Sequence, residues 1–295
     1  MVKIEDVDSR IQALILNNIR TCWLIRDEKT ILIESGFPVE TPTLVSGLEK
    51  LSLTPKDIDF LALTHVHIDH AGGAGNLAQA NPHLKIFVHA MGAKHLINPV
   101  KLIDSVKRAY GKNFSAVGAM EAISSEMIRP VTTGDTIDLG NTQLEVYYTP
   151  GHAKHHVVYF DRTSESIFSG DALGSKYKNL PNFVLSPPAD YNKELAKKSI
   201  DLIKDLKPKR INFTHCGAYD LDGDDDFYEN LKAKHDRWNR CILEIVKEDR
   251  QLNSDEVFKK FLEKIPELKN YPGQFFSFNL SVNGILLYLK KSGRL

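Results

Sequence analysis

The chain has 295 residues, a length that suits one large domain or two modest ones with a substantial buried core. Lysine plus arginine and aspartate plus glutamate both number 38, so the formal net charge is zero, which argues against a protein that coats nucleic acid or an anionic membrane. The three scattered cysteines argue against a disulfide framework, and with neither a signal-peptide pattern nor an apolar run of membrane-spanning length, the sequence predicts a cytoplasmic protein.

The first part of the chain predicts alternating strands and helices. β-rich runs within residues 11–37, separated by the charged letters RDEK, indicate a hairpin. Residues 41–53 carry apolar side chains at helical spacing. The run IDFLALTH indicates a buried strand that ends at a group of histidines. A helix, the strand LKIFVHA and a mostly helical stretch over 91–128 follow.

The same organisation then occurs a second time. Two strands meet across a Gly-Asn turn in DTIDLGNTQLEVYYTPGH, and two more flank a polar turn in HVVYFDRTSESIFSGDAL. An amphipathic helix, NKELAKKSIDLIKDLKP, precedes the strand RINFTHCG. Strands with helices between them thus appear twice, which predicts an α/β fold with two sheets packed face to face and helices outside, an αβ/βα four-layer sandwich.

The character of the sequence changes near residue 221. A long helix with an acidic start, LDGDDDFYENLKAKHDRWNRCILEIVKEDR, precedes further helical segments. The run DGDDD lacks the spacing and the terminal glutamate of an EF-hand, so it predicts a solvated helix start. We predict a main domain over residues 1–220 and a C-terminal helical extension over 221–295. The apolar face of that extension would pack on the sandwich or on a second copy in a homodimer.

The stretch THVHIDHAGG, residues 64–73, concentrates metal-ligand side chains. His65, His67, Asp69 and His70 fall within six positions, where they are hard to desolvate unless they share a cation. A catalytic zinc ion with an open position takes only three protein ligands. The stretch therefore predicts two metal ions, provided that other parts of the chain supply further ligands.

Three later positions offer those further ligands. His152 in YYTPGH, Asp171 in FSGDAL and His215 in NFTHCG each stand at a predicted junction of strand and loop, close to glycine or proline. We expect these strand ends to meet on one edge of the sandwich.

These motifs, in this order, resemble those of the metallo-β-lactamase superfamily over residues 10–220. The resemblance implies the αβ/βα sandwich, a catalytic role for the 1–220 domain and a two-metal centre. It assigns His65, His67 and His152 to the first ion, Asp69, His70 and His215 to the second, and Asp171 to both. The letters TPGHAKHH also resemble the second motif of glyoxalase II and of lactonases, with His155 where the family commonly has glycine.

Such a centre has a defined chemistry. Two divalent ions about 3.5–4 Å apart share a water molecule and lower its pKa toward about 7, which makes hydroxide available at neutral pH. Asp69 is the candidate catalytic residue, because it is placed to orient that hydroxide and to take its proton. Imidazole and carboxylate ligands suit zinc best, and manganese and iron also fit.

Candidate substrate contacts lie close to the ligand motifs. His156 is a candidate for a hydrogen bond to substrate or to a metal ligand, and the alternative is a packed strand histidine. Residues 173–191 follow Asp171 directly without clear periodicity, which predicts a substrate loop with Tyr177 and Phe183 as pocket walls. The alternative is an ordinary connecting loop.

The predicted function is hydrolysis of a small acyl substrate, a thioester, lactone or ester, by attack of metal-bound hydroxide. Two alternatives stay open. A phosphodiesterase or nuclease could use the same metal pair, although such relatives usually have an inserted domain and a more basic surface. A di-iron protein that binds oxygen or nitric oxide would typically carry glutamate in place of His67. A non-catalytic regulatory module would have lost ligands, whereas all seven are present here.

Overall fold

The structure is a computed structural model, and it describes residues 1–176, 183–269 and 275–295. Its first sheet has seven strands in chain order, of which the first four pair antiparallel and the last four pair parallel. These strands are β1 (Val2–Asp6), β2 (Ile11–Leu16), β3 (Arg20–Arg26), β4 (Thr30–Ile33), β5 (Phe60–Ala62), β6 (Lys85–His89) and β7 (Ile128–Val131).

The second sheet has six strands in the order β13-β12-β11-β10-β9-β8. Every pairing in it is antiparallel except the one between β11 and β12. Its strands are β8 (Thr136–Asp138), β9 (Gln143–Tyr148), β10 (Val157–Asp161), β11 (Ser166–Gly170), β12 (Arg210–Phe213) and β13 (Gly217–Asp220).

The two sheets pack face to face through apolar side chains. Trp23 of β3 meets Phe168 of β11 edge to face, with ring centroids 5.9 Å apart. Ile11, Ala13 and Ile15 of β2 belong to this layer between the sheets, while Leu14 and Leu16 belong to the core beneath the helices. Both faces of β2 are therefore buried, which explains its unbroken apolar sequence.

Helices cover both outer faces. The helices over the first sheet are α1 (Thr41–Lys50), α2 (Ile68–Ala71), α3 (Ala74–Ala80), α4 (Ala90–Ile97) and α5 (Val100–Tyr110). Those over the second sheet are α6 (Lys193–Leu206), α7 (Phe227–Glu248), α8 (Ser254–Lys264) and α9 (Phe275–Lys291). The predicted four-layer sandwich with C-terminal helices is confirmed.

The apolar face of α7 packs against the same core as the second sheet. Phe227, Leu231, Trp238 and Ile242 are buried in one cluster with α6 and with side chains of β10, β11 and β12. The domain boundary at residue 220 and the homodimer stay predictions. In the part of the chain that the structure describes, no helix is long and apolar enough to cross a membrane.

Candidate metal centre

The predicted ligands lie just beyond the ends of strands from both sheets. His65 follows β5 by three residues, and the single turn of α2 carries Asp69 and His70. In the second sheet, His152, Asp171 and His215 follow the ends of β9, β11 and β12 respectively. Because these strand ends open on the same edge of the sandwich, residues far apart in sequence meet there.

The residues from His65 to His67 lie between β5 and α2. His67 is extended, with φ −63° and ψ 152°, and directly precedes α2. Gly73, just after α2, approaches the end of β4 so closely that an added Cβ would lie 2.6 Å from the carbonyl oxygen of Ser35. The turn therefore packs tightly against the first sheet, and the side chains of His65 and His67 converge.

Three ring nitrogens converge at one side of the site. His67 Nδ1 lies 2.9 Å from His65 Nε2 and 2.9 Å from His152 Nε2. The three nitrogens lie within 4.8 Å of one another. This triplet is the set that the resemblance assigns to the first ion.

A second triplet lies beside the first. His215 Nε2 is 3.5 Å from Asp69 Oδ2, and His70 Nε2 is 3.9 Å from the same oxygen. Asp171 lies between the triplets, because its Oδ1 is 3.6 Å from His70 Nε2 while its Oδ2 is 3.5 Å from His152 Nε2. The structure thus brings together all seven predicted ligands, with the carboxylate of Asp171 facing both groups.

The donor set fits two divalent cations. Within the described residues, the buried atoms His70 Nε2 and Asp171 Oδ1 have no hydrogen-bond partner, although buried polar atoms in folded proteins nearly always have one. Their separations from neighbouring donors and acceptors exceed hydrogen-bond length but leave room for a shared cation. Imidazole nitrogens with carboxylate oxygens suit zinc, manganese or iron.

The pKa shifts of the ligand side chains also fit a site for cations. Burial lowers the pKa of His65 and of His152 well below the usual value, which keeps both rings in the neutral form that binds metals. Burial also lowers the pKa of His70, but nearby carboxylates led by Glu34 outweigh it and raise that pKa to about 9. Burial raises the pKa of Asp171 to about 6. The carboxylates therefore favour positive charge at His70, and a cation bound at its Nε2 would take the place of that proton.

Sequence reasoning missed Glu34, which lies directly after β4 and is fully buried. One of its carboxylate oxygens lies 3.0 Å from His70 Nδ1 and accepts hydrogen bonds from the hydroxyls of Thr64 and Thr214. Glu34 thereby orients His70, whose Nε2 is the ligand atom. The sequence did carry a signal for Glu34. This acidic residue follows the apolar run in KTILIES, just as predicted ligands follow other strands.

His156 lies behind the ligands and is fully buried. Its Nε2 accepts a hydrogen bond from the backbone N–H of Asp171 at 3.2 Å, and its Nδ1 lies 2.9 Å from the hydroxyl of Thr149. These contacts fix the backbone of Asp171. A contact between His156 and substrate stays a prediction, and the described geometry supports the role beside a metal ligand.

The two predicted pocket walls differ in what the structure describes. Phe183 is partly buried among core aromatic rings, with centroids 5.3 Å from Phe213 and 4.7 Å from Phe227. These contacts give it a packing role, and its contact with substrate stays a prediction. Tyr177 lies outside the described residues.

Known proteins share this sequence pattern. ST1585 of Sulfurisphaera tokodaii, described as metallo-beta-lactamase fold-containing, is 29% identical over 204 residues, which cover 68% of this chain and 73% of that protein. Its solved structure has a TM-score of 0.63 at 22% identity and covers 92% of this chain and 94% of that one, which shows the fold.

Two further relatives have names that state an activity. Hydroxyacylglutathione hydrolase 1 of Vibrio vulnificus is 28% identical over 250 residues, 81% of this chain and 72% of that protein. The acyl-coenzyme A thioesterase MBLAC2 of Gallus gallus is 26% identical over 197 residues, 56% of this chain and 64% of that protein. The family model described as metallo-beta-lactamase superfamily matches residues 17–215, a span that includes every predicted ligand. This chain therefore belongs to the metallo-beta-lactamase superfamily.

Proposed function

We propose that the protein is a binuclear metal-dependent hydrolase of a small acyl substrate, a thioester, lactone or ester. The observation that carries the proposal is the pair of ligand triplets on either side of the Asp171 carboxylate. The names of two relatives, a hydroxyacylglutathione hydrolase and an acyl-coenzyme A thioesterase, support an acyl substrate. Zero net charge supports a small molecule over a nucleic acid.

When bound, two such ions would lower the pKa of a water molecule and polarise the carbonyl group whose carbon is attacked. His65, His67 and His152 would hold one ion, and Asp69, His70 and His215 the other. Asp171 would contact both. Zinc is the ion that we propose first, because imidazole dominates the donor set.

Asp69 is the residue that would orient the attacking water molecule. Its side chain is 23% exposed, whereas that of Asp171 is 6% exposed, so Asp69 is the more open of the two carboxylates. Burial raises the pKa of Asp69, but nearby His70 and His215 outweigh it and lower that pKa to about 2. Asp69 is therefore ionised at neutral pH, and its carboxylate accepts a hydrogen bond from water and so orients it for attack.

A substrate panel tests the proposal. The protein would be loaded with zinc, manganese or iron and assayed with esters, lactones and thioesters, and separately with single-stranded RNA at physiological salt. We expect turnover of at least one acyl class and intact RNA. His67→Ala should lower the activity at least about 100-fold, since it removes a ligand.

The matched control is His83→Ala, which removes an exposed histidine distant in sequence from every ligand and should leave activity unchanged. RNA cleavage that His67→Ala abolishes, without turnover of any acyl substrate, would reassign the protein as a nuclease. Acyl turnover that survives His67→Ala would show a contaminant and remove the support for the proposal.

A further inference from the structure

Residues 183–191, which we call the clamp segment, lie beside two of the metal ligands. The hydroxyl of Ser186 donates a hydrogen bond to Asp171 Oδ2 at 3.1 Å. Ser186 also lines the same small cavity as His152. One residue outside the ligand set therefore orients the carboxylate that faces both triplets, and it lies beside an imidazole of the first.

The clamp segment is itself held by α9. Gly284 lies in the middle of that helix, and an added Cβ would stand 2.1 Å from the carbonyl oxygen of Pro187 and 2.5 Å from that of Pro188. Both contacts are with backbone, so no side-chain rotation could relieve them. Lys291, seven residues further along α9, donates a hydrogen bond to the carbonyl oxygen of Ala189 at 3.1 Å.

The other end of the clamp segment is anchored on α7. The hydroxyl of Tyr191 lies 2.7 Å from His235 Nδ1 and accepts a hydrogen bond from Asn239 Nδ2 at 3.0 Å. All three side chains are buried. Lys234, also on α7, donates a hydrogen bond to the carbonyl oxygen of Phe183. The C-terminal helices thus fix the segment on both sides of Ser186.

Gly284 is buried in the interior of α9. Glycine in a helix interior is less stable than alanine, so a buried glycine there needs a reason. The close approach of the clamp segment supplies one. The same approach brings Tyr191 and His235 to the wall of a small cavity that His152 and Asp171 also line.

We propose that the C-terminal helices control metal affinity through the clamp segment, with Ser186 as the positioning residue and Gly284 as the residue that sets its distance. Groups that orient ligands from outside the metal's own ligand set typically change metal affinity about 10- to 100-fold. The inference rests on the metal centre of the proposed function, and it assigns to the helical extension a role beyond packing.

The test compares three full-length variants with the wild type. Each protein would be loaded with zinc and titrated with a coloured chelator, and each would be loaded with cobalt(II) to record the absorption bands that report ligand geometry. Ser186→Ala and Gly284→Ala should release metal at about 10- to 100-fold lower chelator concentration and shift the cobalt bands. Leu287, on the same helix, is 40% exposed, and Leu287→Ala should match the wild type.

The possible outcomes distinguish a failure of this inference from a failure of the proposed function. Metal retention and cobalt spectra of wild-type character in both Ser186→Ala and Gly284→Ala would overturn this inference and leave the proposed function intact. A thermal stability of Gly284→Ala above that of the wild type would also count against it, because the helix would then tolerate the added methyl group. If Gly284→Ala does not fold, Ser186→Ala decides. A wild-type protein that binds none of zinc, manganese or iron would overturn both proposals.

Discussion

The orientation of His70 depends on a side chain that is not itself assigned to a metal ion. Glu34 lies 3.0 Å from His70 Nδ1, on the side of the ring away from the second triplet. A carboxylate in this position fixes both the tautomer and the direction of the ring and makes the opposite nitrogen a stronger ligand.

Glu34→Gln should therefore weaken metal binding while it keeps the fold. The amide has the same shape and still accepts the hydrogen bond of Thr64, but it carries no charge. We expect affinity for the second ion to fall about 10- to 100-fold, as measured by chelator competition. Glu49→Gln, at an exposed position, serves as the matched control. Equal retention by the two variants would rule out this role for Glu34.

The carboxylate of Asp171 has a different role from that of Glu34, because it faces both triplets and could contact both ions. Asp171→Ala removes this shared group and leaves the imidazoles of both triplets in place. We expect less than two metal ions per chain by elemental analysis and an activity lowered at least about 100-fold. Full activity in this variant would contradict the bridging assignment.

At the residue scale, the metal ligands could be predicted from the sequence. Residues whose role depends on contacts between distant parts of the chain could not. Four ligands fall within six positions, and the other three stand just after strand ends close to glycine or proline, so residue type and position are both informative. Ser186 carries no such signal, because its partner Asp171 and its neighbour His152 come from two other loops. Only the fold brings them together.

Among the elements, strands with unbroken apolar runs were predicted, and the edge strands β1 and β13 were missed. β2 and β10 are buried along their whole lengths and are recognisable from composition. β1 and β13 lie at sheet edges, with sequences VKIED and GAYD that carry charge or little apolar character. Edge strands need only one paired side and one covered face, so their sequences are less constrained.

The helix α7 was predicted from its apolar spacing, and its packing can be measured. Trp238 is 2% exposed and meets Phe261 of α8 edge to face at 5.2 Å. Trp238→Ala should lower the free energy of unfolding by about 3–5 kcal/mol in a urea titration, since it removes a large buried side chain. Lys247→Ala, exposed on the same helix, should change it by less than about 0.5 kcal/mol. Similar values for both would show that α7 is loosely packed.

For the molecule as a whole, the helical extension shares one apolar cluster with the second sheet and α6. Deletion of residues 226–295 would uncover that cluster, and large exposed apolar patches promote association. We expect the truncated protein to aggregate in size-exclusion chromatography with light scattering. A monomeric truncation that keeps its metal and its activity would show that the extension is dispensable.

The first sheet supplies His65, His67, Asp69 and His70, and the second supplies His152, Asp171 and His215. Bound ions would therefore act as cross-links between the two halves of the sandwich, and the docking of the sheets would in turn preorganise the ions' sites. A ligand at about 1,000 times its Kd stabilises the folded state by about 4 kcal/mol. We therefore expect chelation to lower the melting temperature and to make the polypeptide easier to proteolyse, so that metal supply sets how long each copy survives.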